Sequence, residues 1–180
     1  MNDPNAHLES IQKYLAVAAP EIDRINKIEK FSNGQSNPTY LLSTDRARYV
    51  LRSKPVGDLL KSAHAVEREY KVMKALEGTD VPVPRMLCLC ENEAVAGSIF
   101  FVMSYEEGRI FWDPALPQLS TLERSTLYTQ KIQTLAALHS VDPSSVGLQG
   151  FGRMSNYFER QFNRWTTQYR ASETQKINEM

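Results

Sequence analysis

Two short stretches decide the fold: RYVLR at residues 48–52 and, beyond a break at Pro55 and Gly57, AVEREYKVMKAL at residues 65–76. The first is an apolar run, Tyr49-Val50-Leu51, that closes on Arg52, and it predicts a strand over Arg48–Ser53. The second has helical periodicity and predicts a helix over 62–77, ended by Gly78 in the position that favours positive φ. Glu69 lies three residues from Val66, four from Met73 and seven from Leu76. It therefore sits on or beside the apolar stripe, while Glu67, Arg68, Lys71 and Lys74 face away. A carboxylate aimed at a core needs a partner, because burying it unpaired is costly. Arg52 is the natural candidate; a rim glutamate held by Arg48 or Lys71 is the alternative. Taken alone, Arg52 reads equally well as an outward residue of an alternating strand.

Working outward, Thr39–Ser43 is a second strand, joined to the first by the turn Thr44-Asp45-Arg46-Ala47. Residues 28–31 make a short strand before it. Between these lies SNGQSN: Ser32, Asn33, Gly34, Gln35, Ser36 and Asn37. A small polar turn of this kind can aim backbone N–H groups and serine hydroxyls at phosphate oxygens. An ordinary polar hairpin turn has the same composition, and no GK[ST] is present to make it a Walker loop. Residues 5–18 read as an amphipathic helix from Leu8, Ile11, Leu15 and Ala18. Downstream, Val81-Pro82-Val83-Pro84 must be extended, and residues 86–90 and 98–103 are apolar strands around an acidic turn. FFVMSYEEG, residues 100–108, then runs from an apolar strand into a polar segment. About five strands, mostly hairpin-connected, with one helix inserted after the third, make an α+β layer.

After Gly108 the character changes. Trp112-Asp113-Pro114 and Pro117 are linker-like, and Asp113 reads as a turn residue. Ser120 with Glu123 is a capping box opening a helix that runs to His139, which reads as a capping or packed side chain. A last helix over 156–170 carries Phe158, Phe162, Trp165 and Tyr169 as an aromatic stripe in need of cover.

Lys+Arg and Asp+Glu are both 21 of 180 residues, which gives no basic bias towards nucleic acid. No apolar run approaches a membrane span, and the polar start MNDPNAHLES is no signal peptide. Cys88 and Cys90 read as buried strand residues, and the lack of a disulfide framework fits a cytoplasmic protein. None of the Asp residues fits a D-F-G or D-x-D metal pattern.

In order, these segments resemble the aminoglycoside phosphotransferase and choline kinase superfamily. GQSNPTYLL, SAHAVEREYKVMKAL, TDVPVPRML, FFVMSYEEGRIFWDP, ALHSVDPSSVGL and NYFERQFNRW are similar to one branch of it. That branch includes the kinase-like domain fused ahead of acyl-CoA dehydrogenases. The resemblance implies a kinase-like N-terminal lobe with a leading helix over 1–107, then a hinge and the first helices of a C-terminal lobe over 108–180. It implies ATP with Mg²⁺ as cofactor and γ-phosphoryl transfer to a small-molecule hydroxyl, from the branch a hydroxyacyl or hydroxy-acid acceptor. Ser32, Asn33, Gly34, Gln35, Ser36 and Asn37 would cover the phosphates. Arg52 would contact them, in the place where kinases have lysine, and Glu69 would orient it. Met103 would sit behind adenine, with the backbone of Ser104 and Glu106 on its edge. The family's H-G-D-x-x-x-x-N and D-W-E-type segments, which supply the catalytic base and metal ligands, do not occur in these 180 residues. The expectation is therefore a truncated phosphotransferase, inactive alone, with catalytic residues and metal ligands outside the chain. The alternative is a non-catalytic nucleotide-binding or interaction module, self-associating through the 156–170 helix.

Overall fold

A computed structural model describes residues 4–32, 37–55, 64–152 and 156–172. The chain forms two compact units, Met1–Asp142 and Pro143–Met180. In the first, a 3₁₀ turn (Pro4–His7) leads into helix α1 (Leu8–Ala18), followed by strands β1 (Lys27–Lys30), β2 (Thr39–Ser43) and β3 (Arg48–Ser53). Helix α2 (Val66–Leu76), β4 (Met86–Cys90), β5 (Phe100–Ser104) and helix α3 (Thr121–Ser140) complete it. The five strands form one antiparallel sheet in the order β1-β2-β3-β5-β4. The fold is the expected α+β layer.

Local chemistry explains the junctions. Thr44 closes the β2–β3 hairpin: its hydroxyl accepts the Arg46 and Ala47 N–H groups at 3.3 and 3.1 Å. Gly78 sits at φ +82° just past α2, a conformation a side chain would strain. At α3 the Ser120 hydroxyl accepts the Glu123 N–H, and the Glu123 carboxylate accepts the Ser120 N–H at 2.8 Å.

Strand alternation splits the sheet into two faces. On one, Tyr40, Leu42, Tyr49, Leu51, Phe100, Val102, Cys88 and Cys90 pack with Ile11 and Leu15 of α1, all buried. Tyr14 meets Phe100 edge-on at 5.9 Å and donates to the Leu89 carbonyl at 2.8 Å. Burial pushes the Cys88 thiol and the Tyr14 phenol up to about 12. On the other face, Phe101 and Met86 pack against Val66 of α2, with Tyr70, Met73, Leu89 and Met103 around them.

A salt link fixes the C-terminal end of α2 to β4. The Lys74 ammonium bonds the Glu77 carboxylate at 2.8 Å and the Met86 carbonyl at 3.1 Å, and Glu77 accepts the Met86 N–H. Desolvation works to raise the Glu77 pKa, but these donors outweigh it and hold the carboxyl below its ordinary value.

In the second unit, helix α4 (Tyr157–Ser172) presents Phe158, Phe162 and Trp165 exposed at 86, 72 and 62%. One sequence reading changes. Glu67 does not face away: it is half-buried, with one carboxylate oxygen out of solvent. Of the two readings of His139, capping or packed, the structure has it exposed in the last turn of α3.

Candidate functional site

The α2-side face of the sheet carries the polar cluster. Register places Thr39, Arg52 and Phe101 side by side on β2, β3 and β5. The Arg52 guanidinium reaches from the strand to the helix, donating Nε–H to Glu69 Oε2 at 2.6 Å and a longer Nη2–H bond to Oε1 at 3.5 Å. Its Nη1 donates to the Thr39 hydroxyl at 3.0 Å. The Arg52–Glu69 pair expected from the sequence is thus formed as a two-pronged link between sheet and helix. Arg48, the rival partner, instead stacks on the Tyr105 ring at 4.3 Å and lies 3.5 Å from the Glu107 carboxylate.

Glu69 has a second donor. Asn37, buried, gives its side-chain N–H to Glu69 Oε1 at 2.7 Å. Asn37 Oδ1 in turn lies 2.8 Å from His64 Nδ1. Of the polar turn, Asn33, Gly34, Gln35 and Ser36 lie outside the described residues. Ser32 is described and exposed. Asn37, read from sequence as one more phosphate-loop residue, has its side chain committed to Glu69.

Beside this cluster runs an apolar row. Leu41, Val50 and Met103 are register partners across β2, β3 and β5, two residues along each strand from the Thr39–Arg52–Phe101 row. Val50 is buried and belongs to neither core cluster, while Leu41 and Met103 are half-buried. The row is a flat hydrophobic floor next to a fixed guanidinium.

The polar segment after β5 is pinned at several points. Ser104 donates its N–H to the Arg85 carbonyl at 2.9 Å, and its hydroxyl accepts the Arg85 N–H at 2.9 Å and donates to Glu106 at 2.5 Å. The Ser104 amide hydrogen is therefore engaged within the protein. Asp113 accepts the Ala115 N–H at 2.8 Å, as a turn residue does.

The sequence reading missed Thr39, His64, Leu41 and Val50. A signal existed for the last two, since residues two along from Arg52 and Thr39 must share their face. His64 carried none, because its role depends on a contact 27 residues away.

Among the described residues no three His, Cys, Asp or Glu side chains gather to hold a metal ion. Both Glu69 oxygens are taken by Arg52 and Asn37, so this carboxylate does not fit a metal ligand.

A family model described as the phosphotransferase enzyme family matches residues 27–180. The chain belongs to this family. A crystal structure from Ralstonia eutropha assigned as an aminoglycoside phosphotransferase superposes with a TM-score of 0.77 at 43% identity, covering 94% of this chain and 49% of that one. An Arabidopsis thaliana protein named probable acyl-CoA dehydrogenase IBR3 is 49% identical over 151 residues, covering 81% of this chain and 18% of its own length. Mouse acyl-CoA dehydrogenase family member 10 is 47% identical over 151 residues, covering 84% of this chain and 14% of its own. The chain thus spans less than a quarter of the curated relatives and about half of the crystallised one. No helix among the described residues is long and apolar enough to cross a membrane.

Proposed function

We propose that this chain supplies the nucleotide-binding part of an ATP-dependent phosphotransferase acting on a small-molecule hydroxyl. The observation that carries the reading is Arg52. It is held by Glu69 and Thr39 beside the Leu41–Val50–Met103 floor, so a cation is fixed where phosphates would lie when a purine rests on the floor. A preorganised guanidinium meets phosphate oxygens without reorganising. The purine edge would be read by the Ser104 carbonyl and the Glu106 amide, and Ser32 to Asn37 would close over the phosphates. Mg²⁺ would neutralise phosphate charge when bound with ATP, and its protein ligands are expected outside these residues. The acyl-CoA dehydrogenase names of the relatives favour an acyl-type hydroxyl acceptor, a hydroxy acid or its thioester.

The test is calorimetric titration of the chain with ATP·Mg²⁺, alongside Arg52→Ala. Saturable binding that weakens by at least about tenfold in the variant is expected, the loss of a charge-assisted contact. Absence of saturable binding up to millimolar ATP sinks the reading. These residues contain no H-x-D-x-x-x-x-N, so binding without turnover is expected of the chain by itself.

The exposed aromatic face of α4 favours a second reading, an interaction module without catalysis. Concentration-dependent association abolished by Trp165→Ala, with no ATP binding, would support it.

A further inference from the structure

We infer that His64 is a positioning residue for the Arg52 site, acting as a latch that fixes Asn37 and through it Glu69. The inference rests on the nucleotide-site reading above. Its starting point is a relay of side chains: His64 to Asn37 at 2.8 Å, Asn37 to Glu69 at 2.7 Å, Glu69 to Arg52 at 2.6 Å, and Arg52 to Thr39 at 3.0 Å.

The chemistry of the groups fixes the direction of every bond. An ionised Glu69 can only accept, so Asn37 must present its N–H₂ to it. That leaves Asn37 Oδ1, an acceptor, facing His64. His64 Nδ1 must then carry a proton, whichever charge the ring has, and the neutral ring is the Nδ1–H tautomer. Without His64 the buried Asn37 carbonyl loses its donor, and the amide is free to turn its oxygen towards Glu69, where two acceptors would oppose each other. The Nδ1–H group thus sets which end of Asn37 meets the carboxylate.

The backbone supplies a second, independent observation. His64 sits at φ +60°, the left-handed region that non-glycine residues enter at a cost. Its carbonyl accepts the Val66 N–H at 2.9 Å, at the first residue of α2. The strained residue is therefore joined through its backbone to the start of the Glu69 helix and through its ring to Asn37, just ahead of β2. This bond ties the start of α2 to the start of β2. Asn37 is 3% exposed, so its polar groups are not satisfied by bulk water instead.

The test uses two substitutions of the full chain that tolerate the left-handed backbone. His64→Gly keeps the conformation and removes the donor. His64→Asn keeps the conformation and restores an N–H near the position of Nδ1. Two readouts are taken. Nitrogen-15 NMR of the wild-type protein at a pH where His64 is neutral should show Nδ1 protonated and Nε2 bare, reverting to the usual Nε2–H tautomer in Asn37→Ala. The Arg52 Nε–H resonance should be sharp and distinct in wild type and His64→Asn, and averaged in His64→Gly. ATP affinity should fall by about five- to tenfold in His64→Gly and stay within about twofold of wild type in His64→Asn. An Nε2–H tautomer in the wild type, or an Arg52 resonance indifferent to His64→Gly, overturns the latch. A correct tautomer and Arg52 response without any ATP binding leaves the latch standing and removes the nucleotide reading, so the two failures are distinct.

Discussion

A double-mutant cycle on Arg52 and Glu69 tests the central claim that the carboxylate works through the guanidinium. Glu69 receives Arg52 Nε–H at 2.6 Å, Arg52 Nη2–H at 3.5 Å and Asn37 N–H at 2.7 Å, and the two side chains are 28 and 36% exposed. Fully exposed pairs couple by roughly 0.2–1 kcal/mol, and breaking buried ones costs about 3–5 kcal/mol. A half-exposed two-pronged pair should couple by about 1–2 kcal/mol in urea unfolding of wild type, Arg52→Ala, Glu69→Ala and the double variant. The same four proteins are titrated with ATP·Mg²⁺. Arg52→Ala removes the cation and should weaken binding by roughly 10- to 100-fold. Glu69→Ala leaves the cation in place, steadied by Thr39 alone, and should cost about fivefold. If Glu69 acts only by placing Arg52, the double variant binds no worse than Arg52→Ala. Losses that multiply would refute the reasoning, because Glu69 would then contribute to binding independently of Arg52.

Three further outcomes follow from the same structure. Glu77→Gln should destabilise the chain by about 1–2 kcal/mol near neutral pH; because the folded-state pKa is lowered, that contribution is complete above the ordinary carboxylate range and vanishes as pH falls through the folded value, so urea curves of the two proteins should converge in acid. Ser120→Ala should cost about 1 kcal/mol and raise hydrogen exchange in the first turn of α3, with unchanged exchange there counting against the capping box. Cys88 and Cys90 should react with a disulfide-forming thiol reagent near pH 8 only as fast as the sheet opens, since burial disfavours the Cys88 thiolate; immediate labelling would contradict it.

How much was legible depended on the range of each interaction. Thr39–Ser43, Arg48–Ser53 and Met86–Cys90 match their expected spans because alternation and turn chemistry are local. The last sheet strand was expected at 98–103 and lies at Phe100–Ser104, since its limits follow from pairing with β3 and β4, which local composition does not encode. The α2 helix was expected from residue 62 and is described from Val66, because His64 takes a left-handed backbone that a right-handed helix cannot include. Arg52 and Glu69 were readable because a charge on an apolar stripe demands a partner. Composition marked Asn37 as polar turn, and its burial and its bond to Glu69 were not legible because they depend on a residue 32 positions away.

The two faces of the sheet divide stability from the site, and this decides how the variants should be read. The α1 face holds the larger buried cluster, from Ile11 and Leu15 to Phe100 and Val102, with no site residue in it. The α2 face holds a smaller cluster of Val66, Met86 and Phe101, and its remaining surface is given to Arg52, Glu69 and the Leu41–Val50–Met103 row. Hydrophobic stabilisation follows buried apolar area, so the sheet's cohesion resides mainly on the side that carries no candidate-site residue. Thr39, Arg52 and His64 can then be changed at a cost of one to three hydrogen bonds each, without opening the principal core. The same asymmetry explains how a strained residue and a half-exposed ion pair persist on the open face: the sheet beneath them is held from behind.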